Sequence, residues 1–80
     1  MSRFDGALHR LSSLEPGSRG VVVRISGKHA SRADRLSALG VTPGAVIRVL
    51  QRFPAVVFLC DQTELVVEPA VAHAILVRTD

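Results

Sequence analysis

The chain has 80 residues, 48% of them hydrophobic, and carries ten Lys and Arg against seven Asp and Glu, for a formal net charge of +3. That length holds one small domain, and with no Trp, no Tyr and only Phe4, Phe53 and Phe58 its core must come mainly from Val, Leu, Ile and Ala, with Phe53 and Phe58 expected inside it. Aromatic-walled peptide grooves and base-stacking platforms are thereby excluded, and the lone Cys60 excludes an internal disulfide framework or a cysteine-rich zinc site.

No apolar run approaches the roughly 18 residues that mark a spanning helix. The opening MSRFDGALHRL also lacks the apolar centre and cleavage site of a signal peptide, so a cytoplasmic protein is expected. Residues 1–10 read as an N-terminal lead-in to a single domain over 1–80. In LSSLEPGSRG the Pro16-Gly17 pair marks a turn, preceded by Leu11 and Leu14 as anchors to a core. GVVVRISG then alternates, with Val21, Val23 and Ile25 on one side and Val22 and Arg24 on the other, a first strand.

KHASRADRLSALG reads as a short helix with Ser31 as N-cap and Asp34 in the first turn, where a carboxylate meets the positive end of the helix dipole. Ala33, Leu36 and Leu39 share one face, and Gly40 ends the helix as a left-handed C-cap. Val41 can then tuck back while Thr42-Pro43-Gly44 makes a tight turn that reverses the chain. AVIRVLQR resumes alternation, with Ile47 and Val49 opposite an outward Arg48. FPAVVFLCD is a more uniformly apolar strand, QTELVVE another after a turn near Asp61, and AILVRT the last, entered from a helical turn that Pro69 opens. About five short strands with one inserted helix and one helical turn suggest a mainly β fold, a small partly open barrel.

Chemistry is sparse. None of the serines sits in a nucleophile elbow, the carboxylates form no paired motif, and Cys60 reads as a buried thiol with no basic neighbour in sequence. GVTPG has the glycines of a phosphate loop, but no lysine follows and no helix opens after it. His9, His29 and His73 fall in separate elements without the spacing that preorganises zinc or iron, so no cofactor is required, and an intermolecular zinc or iron between two chains is the remaining metal reading. An enzyme is not expected. Arginine supplies nine of the ten cations, scattered rather than in a run, which argues against nucleic acid. What remains is an interaction module.

The order and spacing of LSSLEPGSRGVVVRI, RLSALGVTPGAVIRVL, Pro54 and LVVEPAVAHAILV resemble the FeoA family over residues 11 to 78. The most specific piece is central: Arg35, Leu36, Leu39, Gly40, Val41, Pro43 and Gly44 match the family's Arg-Leu, then Leu-Gly-aliphatic-x-Pro-Gly. Leu11, Leu14, Pro16 and Gly17 match its lead-in. Glu68 stands where many members have arginine, and the segment from Pro54 to Asp61 lacks the usual glycine-rich hairpin.

The resemblance implies an SH3-like β-barrel with a helix inserted after the first strand. It also implies a non-enzymatic role in bacterial ferrous-iron uptake, through contact with the cytoplasmic GTPase part of the FeoB transporter and with the membrane only through that transporter. Arg24, Arg32, Arg35 and Arg48 are the expected partner-binding residues, since arginine offers a fixed fork of donors for carboxylates. A weak homodimer is compatible with this reading. The alternatives are the SH3-like module of a DtxR-type metal-dependent repressor, for which the ten residues before Leu11 leave no helix-turn-helix domain, and a small basic nucleic-acid-binding barrel.

Overall fold

The computed structural model describes residues 7–26 and 30–79, with the side chains of 30–33 left outside the description. In chain order these residues form β1 (Leu8–Arg10), a 3-10 turn (Leu11–Ser13), β2 (Arg19–Ile25), α1 (Ala30–Ala38), β3 (Val46–Gln51), β4 (Val56–Cys60), β5 (Thr63–Val67), α2 (Pro69–Ala74) and β6 (Ile75–Arg78). The six strands make one antiparallel sheet in the order β1-β6-β2-β3-β4-β5. Its ends do not close on each other, so the mainly β, partly open architecture expected from the sequence holds, with six strands in place of about five.

The extra strand is β1, which lies in the segment read as a lead-in. Three residues cannot display an alternation, and β1 exists because Leu8, His9 and Arg10 pair with Arg78, Val77 and Leu76 of β6. The inward residues of the strands converge on a single core. Phe58, Ile47, Val49, Val56 and Cys60 enter from β3 and β4, Val22, Ile75 and Val77 from β2 and β6, and Leu11, Leu14 and Val71 close the ends. Phe58 is its only described ring and is fully buried.

β2 corrects the phase read from sequence. Val22 is 1% exposed and Val21 is 41% exposed, the reverse of a core face made by Val21, Val23 and Ile25. The register with β6 slips between Val22 and Arg24, so that Val22 faces Val77 and Arg24 faces Leu76, leaving Val23 as the additional residue of a bulge. The bulge lets Val22 point inward while Arg24, two positions on, points outward.

The helix also differs in its start. α1 begins at Ala30, so Ser31 lies inside it rather than at its N-cap, and Asp34 falls past the first turn. At its other end the reading holds: Gly40 has φ +97, its N–H donates to the Ser37 carbonyl at 3.0 Å, and the Val41 N–H donates to the Leu36 carbonyl at 2.9 Å. These two bonds make a Schellman motif, with Val41 and Leu36 both buried behind it. Leu36 faces the core as expected, but Leu39 is 48% exposed. Thr42, Pro43, Gly44 and Ala45 then form a turn with Gly44 at φ +94 and the Ala45 N–H donating to the Thr42 carbonyl at 2.9 Å. Proline second and a positive-φ glycine third is the type II arrangement.

Phe53 is the other correction. It is 82% exposed in the connection from β3 to β4, past a second register slip between Val49 and Gln51, where no strand alternation turns it inward.

Candidate partner interface

The sheet's inner face is consumed by the core, so its chemistry lies on the outer face and on the exposed side of α1. Cross-strand partners share a face, which allows the outer surface to be assembled from register. Arg19 on β2 faces Arg48 on β3, and Arg48 in turn faces Leu59 on β4. The neighbouring row runs Leu8, Arg78, Val21 and Val46 across β1, β6, β2 and β3. A third row places Leu76 between Arg10 and Arg24.

The four arginines expected from sequence therefore divide between two surfaces. Arg24 and Arg48 are exposed on the outer sheet face but belong to separate rows, because Arg48 pairs with Arg19 at the start of β2 while Arg24 stands near its end, opposite Leu76. Arg35 is exposed on α1, where it borders a groove of about 300 Å³ with Leu39, Val66, Glu68 and Val71. Arg32 stands one turn earlier on the same helix, and its side chain is among those outside the description.

Sequence reading did not single out Arg19 or Arg78. Both are exposed on the outer face, and Arg19 and Arg48 border a hollow of about 220 Å³ with Val46, Leu59 and Asp61. Alternation outward from Val21 would have found Arg19, had the phase of β2 been known. Among the described residues, Arg19, Arg24, Arg48 and Arg78 form no ion pair and donate no side-chain hydrogen bond. Two other arginines are engaged. Arg10 donates to the His73 carbonyl at 2.8 Å, and Arg52 donates to Glu15 Oε1 at 2.7 Å, tying the β3–β4 connection to the segment before β2.

The remaining candidates for chemistry are dispersed. Cys60 is buried, its Sγ–H donates to the Gly40 carbonyl at 3.3 Å, and burial pushes the thiol up, with the Asp61 carboxylate adding in the same direction. That is the opposite of what a nucleophilic thiolate requires. His9 is half-buried on β1, His73 is exposed in the last turn of α2, and His29 lies outside the described residues. No three His, Cys, Asp or Glu side chains among the described residues are grouped to hold a metal ion. The turn at Pro43 offers no anion cradle either, since the Gly44 N–H donates to the Val22 carbonyl at 2.8 Å. No helix among the described residues is long and apolar enough to cross a membrane.

A family model described as the FeoA domain matches residues 9–79. Among solved structures, an iron uptake regulatory protein (FeoA) superposes with a TM-score of 0.82 at 28% identity, covering 92% of this chain and 99% of that one. The FeoA protein from Chlorobium tepidum superposes with a TM-score of 0.78 at 30% identity, over 88% of this chain and 69% of that one. A manganese-dependent transcriptional repressor shares the fold, with a TM-score of 0.84 at 23% identity over 94% of this chain and 43% of its own. Comparison with curated proteins returned no match. The family match over residues 9–79, nearly all of those described, places the chain in the FeoA family.

Proposed function

We propose that this protein is a non-enzymatic accessory of bacterial ferrous-iron uptake, a cytoplasmic interaction module that contacts the GTPase part of a FeoB-type transporter. Membership in the FeoA family carries the iron-uptake role. The observation that supports a protein partner is that the exposed Arg19, Arg24, Arg48 and Arg78 form no ion pair among the described residues. A guanidinium presents two parallel N–H donors to a carboxylate, so an acidic patch on the GTPase domain is a matching surface. The four arginines expected from sequence, Arg24, Arg32, Arg35 and Arg48, divide between the sheet face and α1, and in this reading one of those two surfaces supplies the contact. No resident cofactor is needed, and a zinc or iron ion would be held between chains rather than within one.

Reversing charge on both surfaces tests it. Arg32→Glu with Arg48→Glu should leave the melting temperature nearly unchanged and abolish co-purification with the transporter's cytoplasmic GTPase domain. Binding that survives in this variant at raised ionic strength would overturn the electrostatic contact.

The likeness to the manganese-dependent repressor favours a second reading, a module that accompanies a DNA-binding domain. A neighbouring reading frame for a large membrane protein with a GTPase domain separates the two.

A further inference from the structure

We infer that the partner docks on the outer face of the sheet, centred on Val21 and Val46, rather than on α1, and that it presents carboxylates around an apolar side chain. The inference rests on the partner reading above and deepens it by assigning the surface and the chemistry it selects.

Three observations converge there. Leu8, Val21 and Val46 are 55%, 41% and 45% exposed, and the register sets them in one row interrupted only by Arg78. At about 4.8 Å between strands, that row crosses roughly 15 Å of sheet. Arg19 and Arg48 stand beside it at two-residue steps from Val21 and Val46, about 7 Å along each strand, so cations border an aliphatic centre. Exposed apolar surface rimmed by polar groups marks interaction sites, and arginine is over-represented among residues that dominate them.

The third observation is electrostatic. Arg19 and Arg48 lie directly opposite each other with no carboxylate paired to either, and like charges at facing positions destabilise a sheet. Asp61 borders the same hollow but forms no ion pair with them. An incoming carboxylate would relieve that repulsion without breaking an internal ion pair, so acidic groups are the complementary chemistry. The aliphatic row selects a protein over a phosphate polyanion, which would leave Leu8, Val21 and Val46 uncovered. The groove beside α1 lacks this selectivity, because Arg35 shares it with Glu68.

The test is a titration of the isotope-labelled full chain with the transporter's purified cytoplasmic GTPase domain, followed by amide shifts and repeated with variants. Shifts should centre on Arg19, Val21, Val46, Arg48 and Arg78. Val46→Glu with Arg78→Glu should weaken binding at least tenfold, while Arg35→Glu stays within twofold of wild type. As a control on folding, Arg19→Gln should melt no lower than wild type, since it removes the facing like charge, and should still weaken binding severalfold. Shifts centred on Leu36, Leu39 and Val66, with the Val46 and Arg78 variant within twofold of wild type, would overturn the assigned surface and leave the partner standing. Tighter binding to duplex DNA than to the GTPase domain, unaffected by Val46→Glu, would overturn the acidic-protein occupant. No shift anywhere at saturating GTPase domain would overturn the partner itself.

Discussion

The backbone N–H of Val41 reaches back 2.9 Å to the carbonyl of Leu36, closing the last turn of α1 over two buried side chains. That bond forms only because Gly40, between them in sequence, adopts φ +97. A residue with a β-carbon is disfavoured there by about 1 to 2 kcal/mol. Gly40→Val should lower stability by about that amount in urea denaturation. A variant that melts within a degree of wild type would show that the helix ends by some other geometry.

A second glycine matters through space rather than torsion. A β-carbon on Gly20 would run into Cγ1 of Val77 and stand 2.7 Å from the Arg78 carbonyl oxygen. Both belong to β6, and one of the two groups in its way is backbone, which cannot swing aside. Gly20→Ala should therefore loosen the β2–β6 pairing, visible as faster amide exchange at Val22 and Val77, whereas Gly17→Ala, with open space at its β-carbon, should leave that pairing intact.

The two described phenylalanines predict opposite results. Phe58 is fully buried at the centre of the core, and truncating such a ring to alanine costs about 3 to 5 kcal/mol. Phe53→Ser should stay within about 0.5 kcal/mol of wild type, as expected for a surface position. Chemical denaturation of the two variants side by side distinguishes them, and a large loss in the Phe53 variant would place that ring against the core.

Cys60 gives the fold a pH dependence. Burial raises its thiol pKa above the ordinary value of 9.0, so the folded state holds the proton that the unfolded state releases first. Its contribution is therefore complete below about pH 9 and is lost as pH rises through the raised folded value. Stability measured at alkaline pH should fall less steeply in Cys60→Ser than in wild type. Alkylation by iodoacetamide at neutral pH should be slow in the native protein and fast in denaturant, and rapid native alkylation would show the thiol to be accessible.

Much of this architecture is local and so could be read along the chain. Pro-Gly pairs, the Gly40 cap and the Pro69 start are short-range backbone constraints, and inward alternation at Ile47 and Val49 follows from the period of a strand. Other features depended on partners distant in sequence. β1 needed the hydrogen bonds of β6, and the outward turn of Val21 and Arg24 needed a bulge against that same strand. Phe53 stayed outside because the chain leaves β3 after Gln51, before reaching it. The candidate site divides in the same way. Arginine as the candidate chemistry came from composition, which sets nine of them against seven acids. Which arginines stand together was decided by register, since Arg19, Arg48 and Arg78 are brought to one face by strand pairings as distant in sequence as Val21 with Arg78. Alternation along one strand carries no information about its neighbour's phase, and only the folded sheet supplies it.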